Sequence, residues 1–147
     1  VALSAGEDAV RELAARSPVT LHVSNVNSPC QTVVALKTAD LQAALRFFES
    51  SGAGSRLVPT GWAFHSPLVR PAAEAFGRHL GSVRFRAPFR AIYSELNGLQ
   101  IPAPELDARY PGWLPGHILA PIRFPDLVQS LQADGISVFL ELGAGGR

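Results

Sequence analysis

The first 58 residues alternate between strand-like and helix-like spacing of apolar residues, and this order restricts the folds open to the chain. Strands are predicted at 1–3, 20–26, 32–36 and 56–59, with a helical period after the first and after the third. The resulting order, βαββαβ, is that of a ferredoxin-like unit.

Local signals mark the ends of the two helices in this unit. Ser4 followed by Glu7 fits the capping box at the start of the first helix, which must stop before Pro18. Thr38 is predicted to be the N-cap of the second helix, and Gly52 stands where a glycine commonly ends a helix.

Residues 59–147 follow a different pattern, which is helix, strand, helix and strand. A strand is predicted at 89–94, an ordered loop with at most a short helix at 99–116, a helix opening at Pro125, and a closing strand at 138–143. This alternation is typical of an α/β layer. We therefore predict an α/β fold whose first part is an α+β unit.

The composition excludes several classes of function. The 13 basic and 12 acidic residues nearly cancel, whereas a nucleic-acid binder carries a basic stripe. No apolar run approaches the roughly 20 residues that a membrane span requires, and the first residues do not form a signal peptide. Cys30 is the only cysteine, which excludes an internal disulfide and a cysteine-based zinc site. We predict a soluble, cytoplasmic protein that binds neither nucleic acid nor membrane.

The chain has four histidines, and no two have the spacing of metal ligands. His79 is predicted on the solvent face of its helix, and His22 lies in a strand. His65 differs because it lies in a loop at the entrance to a helix, between apolar side chains. That setting suits a general base near neutral pH, although a histidine that only neighbours a helix cap fits the same pattern.

A general base needs a nucleophile to activate, and the sequence offers no good candidate. The nucleophile-elbow pattern Gly-x-Ser-x-Gly is absent, and its nearest imitation, residues 52–56 (GAGSR), lacks the final glycine. Cys30 follows a proline in a turn without a nearby basic motif, so a structural role is favoured for it.

Several segments, in order along nearly the whole chain, match one family. They are residues 23–34 (VSNVNSPCQTVV), 62–68 (WAFHSPL), 91–98 (AIYSELNG), 117–124 (HILAPIRF) and 139–145 (FLELGAG). Together they resemble the C-terminal part of the malonyl-CoA:acyl carrier protein acyltransferases of polyketide and fatty acid synthases. No single segment would suffice.

The resemblance implies a ferredoxin-like subdomain inserted into an α/β-hydrolase-like core. Residues 1–58 would form the small subdomain, and residues 59–147 would form the C-terminal part of the acyltransferase core. The N-terminal half of the domain would precede Val1. In the family that half carries the nucleophilic serine, the oxyanion segment and the arginine that pairs with the malonyl carboxylate.

The resemblance also implies roles for individual residues. His65 matches the catalytic histidine, which accepts the proton of the serine in ping-pong transfer from coenzyme A to the carrier protein. The backbone carbonyl of His117 would orient its ring, and Asn27, Trp62 and Phe64 would lie at the acyl pocket. A bulky residue such as Phe64 would favour malonyl over a branched unit.

The implied partners are an acyl carrier protein with its phosphopantetheine arm, the N-terminal half of the acyltransferase, and other synthase domains. No metal or organic cofactor is expected, since malonyl-CoA enters as the substrate. Two alternatives stay open: a non-catalytic scaffold or docking fragment of a synthase, and a ferredoxin-like ligand-binding module unrelated to synthases.

Overall fold

The computed structural model describes residues 1–86, 88–96, 100–101, 112–140 and 142. Its strands are β1 Ala2–Leu3, β2 His22–Ser28, β3 Gln31–Ala35, β4 Ser55–Arg56, β5 Ile92–Tyr93, β6 Gln100–Ile101 and β7 Ile122–Arg123. Its helices are α1 Glu7–Arg16, α2 Leu41–Ser50, α3 Arg70–Leu80, α4 at 112–119 and α5 Phe124–Ala133. Short 3₁₀ turns, Thr38–Asp40 and Pro67–Val69, precede α2 and α3.

Strands from both parts of the chain form one five-stranded sheet, in the order β4-β1-β3-β2-β7. The first four strands are antiparallel neighbours, and β7 adds to β2 in parallel. The predicted βαββαβ order and the α/β class are therefore confirmed. The division at residues 58 and 59 stays a prediction, and β7 belongs to the same sheet as the first four strands.

The core of the small unit lies where α1 and α2 pack against this sheet. Its buried members are Val1, Leu3, Val10, Val34, Ala44 and Phe48. The helical residues recur at helical spacing and the strand residues at alternating positions, so one apolar face of each element is buried. Phe48 is the largest fully buried side chain among the described residues.

The predicted helix ends are correct at the C-terminus and wrong at the N-terminus. Gly52 has a φ of 69° just past α2, the left-handed conformation that glycine adopts without strain. Gly6, not Ser4, is the N-cap of α1, and no side chain caps it. A capping box needs the carboxylate at the third helical position, whereas Glu7 is the first residue of α1 and pairs with the side chains of Arg11 and Arg123. Thr38 begins a 3₁₀ turn and not α2 itself.

The predicted closing strand is wrong over its described part. Residues 136–140 have no regular structure, and the side chains of Val138, Leu140 and Leu142 are 84%, 81% and 86% exposed. A strand needs a neighbour for its N–H and C=O groups, and no described strand lies beside this segment.

The region between β5 and α5 also differs in detail from the prediction. The strand predicted at 89–94 is only Ile92–Tyr93. The predicted loop at 99–116 includes β6 and leads into α4 at residue 112, while residues 102–111 lie outside the described part.

None of the helices in the described ranges has the length and apolar character needed to cross a membrane.

Replacing Phe48 with alanine tests the core. Phe48 is 0% exposed, so Phe48→Ala should lower the free energy of unfolding by about 3–5 kcal/mol in chemical denaturation. Phe89 is 88% exposed, and Phe89→Ala should change that free energy by less than about 0.5 kcal/mol. Equal losses for the two variants would contradict the assigned core.

The pH dependence of unfolding tests the ion pair between α1 and β7. Burial raises the pKa of the Glu7 carboxyl, but hydrogen bonds from Arg11 and Arg123 outweigh it and lower the pKa below the ordinary value of 4.5. A depressed pKa stabilises the fold above the unfolded-state value, and that stability is lost as the pH falls through the lower folded value. Below pH 4.5 the wild type should therefore lose stability more steeply than Glu7→Gln. Parallel curves would contradict the pairing.

Candidate active site

The loop before α3 holds His65 in an uncommon backbone conformation. Its φ is 59°, and no other non-glycine residue in the described part of the chain has a positive φ. The hydroxyl of the buried Ser66 fixes the adjoining turn, since it donates to the carbonyl of Ala63 at 2.6 Å and accepts from the N–H of Leu68 at 3.3 Å. Such strain persists only where neighbouring contacts stabilise it.

His65 satisfies two free carbonyls at the end of α4. The last carbonyls of a helix have no partner within it. The backbone N–H of His65 donates to the carbonyl of Ile118 at 2.8 Å, and its ring Nδ1 lies 3.0 Å from the carbonyl oxygen of His117. One histidine therefore fixes the end of a helix that lies 52 residues later in the chain.

This contact determines which ring nitrogen of His65 is available for chemistry. A carbonyl oxygen only accepts hydrogen bonds, so Nδ1 carries the hydrogen. In the neutral ring, Nε2 then holds the lone pair and can accept a proton. The arrangement is that of an oriented general base.

The side chain of His117 lies close to three other side chains. Its ring is edge-on to His65, with centroids 5.7 Å apart, and 5.5 Å from the ring of Trp113. Its Nε2 lies 3.6 Å from a carboxylate oxygen of Glu95. Burial lowers the pKa of His117, and the charge of Glu95 opposes this without cancelling it. A neutral ring at pH 7 follows from the net direction.

A cavity of about 640 Å³ opens beside the imidazole of His65. Apolar side chains such as Leu36, Leu41 and Leu57 line it. A space of this size, lined by both apolar and polar residues, has the character of a small-molecule pocket.

The structure brings three of the predicted site residues to this cavity. Trp62, Phe64 and His65 all line it, and Trp62 and Phe64 remain half or more exposed. Two polar residues that sequence reasoning missed, Asn25 and Lys37, also line it. Asn25 lies within the matching segment 23–34, two residues before the Asn27 singled out there, whereas Lys37 lies outside every matching segment.

Asn27 does not reach the cavity, although the resemblance assigned it there. Its side chain is exposed, and Nδ2 donates to Oε1 of Gln31 at 2.9 Å. The pairing of β2 with β3 shifts register between Val23 and Asn25 and again after Val26. Such irregularities change which face a residue occupies, and the pocket role that the resemblance implies for Asn27 stays a prediction.

The other candidates lie away from the cavity. Cys30 is exposed in the turn between β2 and β3, with its Sγ 3.4 Å from the hydroxyl of Ser28. His79 is exposed on α3, as predicted. Within the described residues, no group of three or more His, Cys, Asp or Glu side chains could hold a metal ion.

Sequence comparison finds related segments in polyketide synthases. The chain is 32% identical over 146 residues to the polyketide synthase GfsA of Streptomyces halstedii, which covers 99% of this chain and 2% of that protein. It is 31% identical over 146 residues to the putative inactive phenolphthiocerol synthesis polyketide synthase type I Pks1 of Mycobacterium tuberculosis, covering 99% of this chain and 9% of that protein. No protein-family profile matches. The chain thus spans a small part of the curated relatives it matches.

Structural comparison finds acyltransferases. The acyltransferase domain of an iterative polyketide synthase in enediyne biosynthesis is 30% identical with a TM-score of 0.74, over 87% of this chain and 33% of that one. The acyl-carrier-protein S-malonyltransferase of Burkholderia pseudomallei is 25% identical with a TM-score of 0.79, over 92% of this chain and 44% of that one. The chain therefore has the fold of part of an acyltransferase, and the resemblance identified in the sequence is confirmed.

The backbone of His65 provides a test of the site that needs no substrate. At a φ of 59°, alanine is strained and glycine is not, so His65→Gly should unfold with a free energy about 1 kcal/mol higher than His65→Ala. On α3 the order should reverse, since His79→Gly should be about 1 kcal/mol less stable than His79→Ala. The same order at both positions would contradict the assigned backbone.

Proposed function

Because the chain is related to acyltransferase domains in sequence and fold, we propose that it is part of an acyltransferase that moves a malonyl unit from coenzyme A to an acyl carrier protein. In this proposal His65 is the general base, and the nucleophilic serine comes from the N-terminal half of the domain. The observation that carries the proposal is the contact between Nδ1 of His65 and the His117 carbonyl, at 3.0 Å, beside the cavity.

The proposed reaction has two balanced steps. The serine hydroxyl attacks the thioester carbonyl of malonyl-CoA while Nε2 of His65 accepts its proton, and the thiol of coenzyme A leaves with that proton. The phosphopantetheine thiol of the carrier protein then attacks the acyl-serine ester, giving its proton to His65, and the serine oxygen leaves protonated. No metal or organic cofactor takes part in either step.

The cavity supports a preference for an unbranched acyl group. Phe64 lines it next to His65, and its phenyl ring would crowd an α-methyl group. Such a steric difference is worth about 1–3 kcal/mol in discrimination.

The carrier protein and the other synthase domains are proposed partners for the same reason as the serine half, namely the match to polyketide synthases.

Removing the proposed base should remove the transfer. A domain that joins this chain to its N-terminal half should transfer malonyl from coenzyme A to a carrier protein, and His65→Ala should reduce kcat/KM by at least about 100-fold because proton transfer is lost. His79→Ala, on the exposed face of α3, is the matched control and should keep full activity. Undiminished transfer in His65→Ala would refute the assignment.

The isolated chain gives a complementary test. After incubation with malonyl-CoA, intact-protein mass spectrometry should detect no malonyl adduct, because the serine lies in the other half. An adduct would contradict the proposed division of the site, and Cys30 would be the first residue to substitute. A joined domain that contains the serine and still fails to load malonyl would favour the scaffold alternative.

Phe64 is the residue to change for substrate choice. Phe64→Ser should raise the kcat/KM for methylmalonyl-CoA relative to malonyl-CoA by about tenfold or more in the joined domain, since the crowding ring is gone. Phe89→Ser, at an exposed position, should leave the ratio unchanged. An unchanged ratio in Phe64→Ser would show that another residue sets the preference.

A further inference from the structure

Hydrogen bonds hold the backbone around Glu95, which lies next to the ring of His117. It follows β5 in a turn where the hydroxyl of the buried Ser94 accepts the N–H of Leu96 at 3.2 Å. Its own carbonyl accepts the N–H of Arg123 in β7 at 2.9 Å. With its backbone anchored in this way, the Glu95 carboxylate meets His117 without a large entropic cost.

The Glu95 carboxylate lies beside Nε2 of the His117 ring. Oε2 of Glu95 is 3.6 Å from Nε2 of His117, and both side chains are only partly exposed. The other faces of the ring meet the rings of Trp113 and His65. At 3.6 Å the approach of Glu95 is a charge–dipole contact and not a short hydrogen bond, and the negative charge favours the tautomer of His117 that carries its hydrogen on Nε2.

We propose that Glu95 is a positioning residue for His65, acting through His117. The carboxylate holds the His117 ring against Trp113, and the ring in turn holds the last turn of α4. The carbonyl of that same residue, His117, then stays aimed at Nδ1 of His65. The catalytic consequence of this arrangement rests on the proposed function, but the orientation of His65 does not.

Two titratable groups face the His117 ring among the described residues: Glu95 from the turn after β5 and His65 from the loop before α3. The Glu95 charge favours the protonated His117 ring, and a protonated His65 disfavours it. Removing the Glu95 charge must therefore lower the pKa of His117 further.

Ring-nitrogen NMR of the full chain tests the orientation directly. Two-bond proton–nitrogen spectra report which nitrogen carries the hydrogen in each histidine, and His22 and His79 serve as internal references. In the wild type, His65 should be predominantly the Nδ1–H tautomer. Glu95→Ala should convert it to a mixture of tautomers, whereas Glu74→Ala, at an exposed position of α3, should not. Unchanged His65 ring signals in folded Glu95→Ala would overturn the proposal.

The conservative variant separates the charge from the dipole. Glu95→Gln keeps an oxygen whose dipole also favours the hydrogen on Nε2, so the His65 tautomer should be retained, while the pKa of His117 should fall because the negative charge is gone. If Glu95→Ala does not fold, Glu95→Gln still tests whether Glu95 acts on His117. An unchanged titration of His117 in Glu95→Gln would mean that the pair does not form, and the proposal would fail.

Kinetics of the joined domain provide the functional readout. Glu95→Ala should lower kcat about tenfold with little change in KM, because it loosens the base and leaves substrate binding alone. The double variant Glu95→Ala/His117→Ala should lower kcat no further than His117→Ala alone, since both substitutions act through one contact. Additive losses would overturn the proposal. If the wild-type domain transfers no acyl group, the proposed function fails, and the NMR result still decides whether Glu95 positions His65.

Discussion

The arrangement of the site depends on the meeting of one histidine with one helix end. The carbonyls of His117 and Ile118 at the end of α4 have no partner within their helix, and His65 supplies both hydrogen bonds. The bond at Nδ1 sets the tautomer of His65, and the backbone bond ties down the residue at its positive φ. A single residue therefore completes the helix terminus and has the ring orientation that the proposed base requires.

Arg123 links this site to the rest of the fold. Its backbone N–H bonds the Glu95 carbonyl, and its guanidinium pairs with Glu7 of α1 and Asp126 of α5. Because β7 also pairs with β2, the segment that follows α4 is tied to the sheet, to both flanking helices and to the turn that presents Glu95. The chemistry proposed for the cavity thus depends on contacts that also stabilise the sheet.

Sequence reasoning succeeded where the signal was local or was a family motif. Gly52 beyond α2 and Pro125 at the start of α5 were identified because their backbone preferences are intrinsic to the residue. The capping box failed because α1 begins at Glu7 itself, whose carboxylate pairs with both the nearby Arg11 and the distant Arg123. The register shifts in β2 are set by its pairing with β3, and no local signal in the sequence indicates them.

By itself, the sequence determined the βαββαβ order, the α/β class and the identity of His65 as the candidate base, since periodicity and motif are properties of neighbouring residues. The tertiary structure decided which residues meet. The approach of His65 to the end of α4, the cluster of Glu95 with His117, and the lining of the cavity by Asn25 and Lys37 all join segments far apart in the chain. Such contacts arise only when strand pairing and helix packing close the intervening loops, and no local pattern encodes them.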